Sequence, residues 1–504
     1  MRKIDLGQAL SEAFAALDAG RPEEARRLAR TVERLRPDIP GLAYLYGLVF
    51  LAEGQGRKAA QQFQKALAPS PGAVPPLLGL ARAQVLQGRE PVAAGLYRRL
   101  IRLAPDLAEA YAELAELAIR RQDHRDAAVL LHRAVTLRPA HPVWLNNLGA
   151  ARKALGQWNE AALAFAAAID ADPVHVRAHL NLSSILRRLK RAGEAADLVR
   201  AASLMAPGDP AVWLELSLAE KDAGRLPEAL SAVEEALSRG QPLAEALWQR
   251  AECLRALNRT GEAAAAYRRL LGHDPEDRFG ASLVLAGLDG EEAPAAAPAA
   301  FVRTLFDEYA DRFDQHLIER LSYRAPAVVA EAVFRLLGAG PFDCCDAGCG
   351  TGLAGLALQA VVARLDGIDI SPRMIEKARE RNIYDRLDTG DIAPLLAARP
   401  AAYDLVVAAD VLIYLGDLEP LFQAVATCLR PGGGFVFTVE AAEGAADGEG
   451  ARLLESRRFA HGDGYLRRLA GQSGYDILAL ERVSVRSDRS APVPGRLVVL
   501  RRPS

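Results

Sequence analysis

Cysteine is scarce, five residues in 504, and odd in number. Cys253, Cys344, Cys345, Cys349 and Cys428 make no CxxC pair, which argues against a disulfide framework and against zinc, and for a reducing compartment, the cytoplasm. No apolar run reaches membrane-spanning length before a charge interrupts it, and the opening Met-Arg-Lys-Ile-Asp-Leu-Gly-Gln has no apolar signal core. Excess charge is missing too: 62 Lys and Arg against 64 Asp and Glu leave −2, which gives no electrostatic case for nucleic acid or an anionic membrane. What remains is a chain with 50% hydrophobic residues, long enough for two to four globular domains.

The first half is periodic. Prolines 37, 71, 105, 139, 173, 207 and 275 lie on one 34-residue grid, and the vacant point, Gln241, is followed by Pro242. With that proline as position 32, position 20 holds Ala25, Ala59, Ala93, Ala127, Ala161, Ala195, Ala229 and Ala263. Position 8 is also small throughout (Ala13, Gly47, Ala81, Ala115, Gly149, Ser183, Ser217, Ala251), as two closely approaching helices require. Phe63, Tyr97, Phe165 and Tyr267 at position 24 fill the gaps between units. This pattern resembles the tetratricopeptide repeat: eight repeats within residues 1–277, an all-α superhelix of sixteen helices. The resemblance implies a groove that binds a protein segment. Lys153, Arg187, Lys221 and Arg255 share position 12 on the groove side and form either a basic ladder for an acidic segment or an ordinary solvated face. Asn147 and Asn181 at position 6 resemble two rungs of the asparagine ladder by which the repeats of O-linked N-acetylglucosamine transferases grip peptide backbones.

The grid stops after Pro275, and the Ala/Pro-rich stretch 289–300 places a linker over 278–300. From 301 to 504 strands alternate with helices, near 342–346, 364–369, 404–409 and 433–439, the pattern of a parallel sheet. The first strand runs into Asp346-Ala-Gly-Cys-Gly-Thr-Gly352, where Gly348, Gly350 and Gly352 permit a tight turn against which a nucleoside ligand can lie. The second strand ends at Asp369, about twenty residues on, where an acid can accept both ribose hydroxyls. To this point a nicotinamide dehydrogenase fits as well.

Gly390-Asp-Ile392, Tyr403-Asp-Leu-Val-Val-Ala-Ala-Asp410 and Leu429-Arg-Pro-Gly-Gly-Gly434 follow in order. That succession resembles the class I S-adenosylmethionine-dependent methyltransferases, with a Rossmann-like seven-stranded sheet completed by strands near 475–485 and 496–502, the last antiparallel. Phe306-Asp-Glu-Tyr-Ala-Asp-Arg-Phe-Asp314 before Tyr323-Arg-Ala-Pro326, joined to repeats, is similar to predicted bacterial tetratricopeptide-repeat methyltransferases. The resemblance implies that Asp346, Gly348 and Gly350 line the methionine end of S-adenosylmethionine, that Asp369 holds the ribose, that Ile370 and Met374 flank adenine, and that Asp391 accepts from the adenine amino group with Ile392 nearby. Asp410 would border the transfer site, and Tyr309 and Tyr323 would close over the cofactor, although Tyr309 equally suits plain helix packing.

Methyl transfer is an in-line displacement, so a base is needed only for a protonated acceptor. Candidates at the mouth are Asp410, Tyr414, Glu440 and His461, the histidine weighed against a purely structural place. The acidic insert Glu440–Gly450 suggests a cationic acceptor. Three functions are open: a protein methyltransferase whose repeats capture the target, a small-molecule (metabolite or quinone-like) methyltransferase docked through its repeats, and a cofactor-binding scaffold without turnover.

Overall fold

The computed structural model describes residues 6–39, 41–240, 244–290, 292–314, 323–442, 450–488 and 491–504. It divides into two compact units, Met1–Gly240 and Gln241–Ser504. Among the described residues no helix is long and apolar enough to cross a membrane.

The first unit is a series of helix pairs running from Leu6–Asp18 to Leu226–Arg239, two helices to each 34-residue repeat. The position-20 alanines from Ala25 to Ala229 are wholly buried, because a larger side chain there would hold the paired helices apart. Phe63 and Phe165 are also fully buried, and each ring lies over a position-8 glycine. A Cβ on Gly149 would stand 2.6 Å from the Phe165 ring, closer than any real contact. Gly149→Val is therefore expected to lower the thermal midpoint by several degrees, an overpacking cost of about 1–3 kcal/mol. Gly193→Ala, whose Cβ meets nothing within 4 Å, is the control. Coincident melts followed by circular dichroism would show that the ring-on-glycine packing does not matter.

The second unit contains the eighth helix pair, Ala244–Ala256 and Thr260–His273, and a twisted sheet. The strands are β1 (Phe342–Ala347), β2 (Val362–Asp369), β3 (Arg386–Thr389), β4 (Tyr403–Ala408), β5 (Leu429–Ala441), β6 (Ala451–Leu453), β7 (Phe459–His461), β8 (Asp476–Val483), β9 (Ser487–Asp488), β10 (Ala491–Pro492) and β11 (Gly495–Arg501). The main path is β3-β2-β1-β4-β5-β11-β8. β1 to β5 pair in parallel along that path, and β11 is antiparallel to both neighbours. Helices cover both faces, one core gathering around Phe422, Phe435 and Phe437 and the other around Val329, Leu405 and Val499. Since β1 and β4 are neighbours while β2 lies on the far side of β1, the strand order reverses beside β1, and a crevice opens there at the carboxyl ends of the strands.

Within the stretch expected as a linker, the described residues include a helix and a hydrogen-bonded segment. Residues Ala281–Asp289 form a helix. Beyond it, the Ala297 N–H donates to the Tyr414 carbonyl (2.8 Å), while the Gly416 and Asp417 N–H groups donate to the Ala295 carbonyl (2.8 and 2.7 Å). Alanine side chains let this backbone lie flat against the loop after β4, an outcome its Ala/Pro composition does not announce. Arg457 ties the same region to the last repeat: it donates to the Phe279 carbonyl (3.0 Å) and lies over the Trp248 and Phe301 rings.

Candidate active site

The glycine turn forms because its residues leave β1 with positive φ: +76° at Gly348, +52° at Gly350 and +94° at Gly352. The Gly348 and Cys349 N–H groups both donate to the Ile368 carbonyl (2.8 and 2.9 Å), which fastens the turn to β2. Asp369, at the end of β2, accepts from the Gly350 N–H (2.8 Å) and the Ser371 N–H (2.9 Å). Ser371 in turn caps the helix Pro372–Glu380, its hydroxyl accepting from the Met374 N–H (3.1 Å). Asp391 caps the helix Ile392–Ala397 through the Ala393 N–H (3.2 Å).

Asp346 is wholly buried. Its Oδ2 accepts from the Tyr384 hydroxyl (2.7 Å) and the Gly355 N–H (3.1 Å), while Oδ1 has no partner. Burial pushes the carboxyls of Asp346 and Asp369 up to about 6, against the hydrogen bonds that favour their ionised forms. Tyr384, which no sequence pattern marked, thus orients the acid of the glycine motif.

The turn opens on a cavity of about 680 Å³. Gly348, Gly350, Asp369, Ile370, Asp391, Ile392, Asp410 and Tyr414 all line it. Tyr309 and Tyr323 line it as well, and the Tyr323 hydroxyl donates to the Ala409 carbonyl at 3.4 Å. Four expected residues lie elsewhere, Glu440 among them, within β5. Asp346 stands behind the turn and braces it. Met374 is buried on the inner face of its helix. His461 is buried, with one ring nitrogen, Nε2, 2.9 Å from the Leu415 carbonyl, and burial drives its imidazolium form down to about 4. Neutral and enclosed at β7, His461 supports the loop after β4 and does not face the cavity.

The roof is the segment 299–314. Its acids grip the helix below: Asp307 accepts from the Ser371 hydroxyl (2.6 Å), Asp311 pairs with Arg373 (2.5 Å), and Asp314 pairs with Arg381 and accepts from the Thr351 hydroxyl. Phe306, Tyr309 and Phe313 turn inward, with edge-to-face contacts from Phe313 to both Phe306 and Tyr309. The acids of this motif therefore fasten it to its neighbours, while its aromatics line the cavity.

Arg486 was not legible in the sequence, since it follows β8 in a stretch without a motif. It is 3% exposed and pairs with both Asp410 and Glu440, the acids that end β4 and β5. Glu440, expected as the start of a loop, continues β5; residues 443–449 of the expected loop lie outside the described residues. Arg458 also lines the cavity.

In the first unit the position-12 cations have partners of their own. Lys153 donates to the Ser184 hydroxyl (2.9 Å), and Arg187 pairs with Asp222 (2.7 Å) and Glu215 (3.3 Å). Lys221 is also engaged. Asn181 donates to Asn146 (3.0 Å), which donates to Asn147 (3.4 Å), so the two asparagine rungs join through a third. In the second unit Arg255 pairs with Glu252 (3.0 Å).

Residues 345–435 match the family described as a methyltransferase domain, and residues 10–74, 146–210 and 214–278 match the tetratricopeptide repeat. A ubiquinone biosynthesis O-methyltransferase of Xylella fastidiosa is 33% identical over 99 residues, 19% of this chain and 40% of that protein. A demethylmenaquinone methyltransferase of Tropheryma whipplei is 31% identical over 144 residues, 27% of this chain and 58% of that protein. The chain thus spans about two fifths to three fifths of the length of these relatives. The structure of magnesium protoporphyrin IX methyltransferase from Synechocystis PCC 6803 with bound SAH aligns at TM-score 0.33 and 19% identity, covering 40% of this chain and 98% of that one. The chain carries tetratricopeptide repeats and a methyltransferase domain.

Proposed function

We propose that the second unit transfers a methyl group from S-adenosylmethionine to an acceptor held beside Asp410 and Tyr414, and that the repeats recruit a protein segment. One observation carries this reading: the glycine turn, Asp369, Asp391 and Asp410 line a single cavity. The residues fit the cofactor. Gly350 leaves backbone open to it and Asp369 has lone pairs for hydroxyls, while Asp346 braces the turn from behind. When bound, the cofactor supplies an electrophilic methyl on sulfur. The protein's part is to orient the acceptor and keep water out, and the aromatic roof serves the second task.

A small-molecule acceptor is the second reading, favoured by the roof formed by residues 299–314 and the bound strap at Ala295–Ala297. Labelled methyl transfer by the full chain into a cell extract separates the two. Label on protein supports recruitment through the repeats, label on extractable metabolites supports the second reading, and no transfer by a chain that binds S-adenosylhomocysteine sinks both.

The raised carboxyls give a further expectation. Their folded values near 6 exceed the ordinary Asp value near 4, so the folded chain holds extra protons between about pH 4 and 6. The unliganded protein should accordingly lose stability as pH rises through that window. A ligand that favours the ionised carboxylates should expel protons on binding. Titration calorimetry of S-adenosylhomocysteine at pH 6 should show a heat that depends on the buffer's ionisation enthalpy, and at pH 8 it should not. A heat independent of buffer at pH 6 would contradict the assignment of Asp369 to the ligand.

A further inference from the structure

Beyond the cofactor side, the cavity has a second polar end made by Asp410, Arg486, Arg458 and Tyr414, set in walls supplied by Ala295–Ala297, Ile413 and Leu421. The charges there are unevenly matched. Arg486 closes on Asp410 and Glu440 together, so one guanidinium is shared between two carboxylates. Its Nε–H is buried and has no partner. Arg458 is a third of the way exposed, and among the described residues its one ion pair is with Glu440 at the long distance of 3.8 Å. Both of these acids are therefore already engaged, while the partly exposed Arg458 guanidinium keeps N–H donors beyond its contacts with Tyr414 and Glu440. A cationic acceptor would find Asp410 and Glu440 already paired; an oxygen that accepts hydrogen bonds would find the donors of Arg458.

We propose that this end of the cavity is the acceptor subsite and takes an apolar or aromatic molecule bearing an oxyanion, with Arg458 as the residue that selects it. The proposal rests on the methyltransferase reading above and names the acceptor class for that site. An acceptor that arrives as the anion needs no base. The oxygen lone pair forms the new carbon–oxygen bond as the carbon–sulfur bond breaks, the electron pair returns to sulfur, and no proton is released. Negative charge on the acceptor and positive charge on the donor cancel in the step, which the apolar walls favour because charges attract more strongly there than in water. The acidic composition of the segment after β5 points the other way in sequence, toward a cation, but its first acid, Glu440, is held by Arg486.

The test uses the full chain saturated with S-adenosylhomocysteine and four probes: 2-naphthoate, 4-nitrophenolate, 2-naphthamide and 2-naphthylmethylammonium. Binding of either anion at least tenfold tighter than the amide and the ammonium is expected, and which anion binds identifies the source of the oxygen as carboxylate or phenolate. Arg458→Met should weaken the anion at least tenfold and leave S-adenosylhomocysteine affinity unchanged, with partial recovery in Arg458→Lys. Equal or tighter binding of the ammonium, binding of neither anion, or an anion affinity indifferent to Arg458→Met would overturn the subsite. Loss of S-adenosylhomocysteine binding by the unaltered chain would instead defeat the methyltransferase reading, so the two failures are distinguishable.

Discussion

Gly348→Val is expected to weaken S-adenosylhomocysteine binding by a hundredfold or more, about 2.7 kcal/mol, while the sheet stays folded. Two effects coincide at this position. A φ of +76° costs a side-chain-bearing residue about 1–2 kcal/mol, and more when the side chain is β-branched. The added Cβ would also stand 2.4 Å from a methyl of Val411, next to Asp410. Asp410 itself holds φ +60° and donates its N–H to the Thr438 hydroxyl (2.8 Å), so pushing Val411 away disturbs an already constrained corner of the cavity. Gly432→Ala separates backbone strain from damage to the site: its φ is +77°, and its Cβ would meet only the Ser504 hydroxyl, at 3.8 Å. Calorimetry should show full affinity in that control, and undiminished affinity in Gly348→Val would mean that the turn does not carry the ligand.

Arg486→Leu should destabilise the second unit strongly, by about 3–5 kcal/mol, because it leaves Asp410 and the buried Glu440 facing one another with only Arg458, 3.8 Å from Glu440, as counter-charge. The loss should depend on pH. Burial already raises the Glu440 carboxyl, and removal of Arg486 takes away the largest effect opposing that rise. A folded value raised above the unfolded one makes the penalty largest above the folded pKa and smaller as pH falls through it. Urea denaturation should therefore show a larger deficit at pH 7.5 than at pH 5. Adding Glu440→Gln and Asp410→Asn to Arg486→Leu should recover much of it. A deficit equal at both pH values would point to lost packing of the arginine stem and away from the carboxylates.

The repeat array was legible because each repeat is built against its neighbours: a 34-residue period forces small residues to the same two positions every time, and Ala161 or Gly149 can be read without knowing where the helices lie. The cofactor side was legible for a similar local reason. Asp346 to Gly352, Asp369 and Asp391 each sit at the end of one strand or the start of one helix, and turn geometry dictates their residue types over a few positions. Local rules said less about which of these face the ligand. Asp346, Met374 and His461 differ from Asp369 and Ile370 only in whether tertiary packing leaves them on the cavity wall, and Tyr384, 38 residues away in the chain, is what turns the Asp346 carboxylate aside.

The acceptor side was decided by the fold alone. Arg486 reaches Asp410 across 76 positions of sequence and Glu440 across 46, and no periodicity or motif encodes a contact at such separations. The Ala/Pro stretch reads as a linker because small residues and prolines describe flexible chain and closely packed chain equally well; only the loop at Tyr414–Asp417, offering backbone partners to Ala295 and Ala297, makes it a wall. Sequence by itself determined the repeats, the sheet and the glycine turn with its flanking acids, since those follow from short-range geometry. Tertiary structure decided the charge balance around the acceptor, because that balance depends on which side chains from distant strands share one buried space.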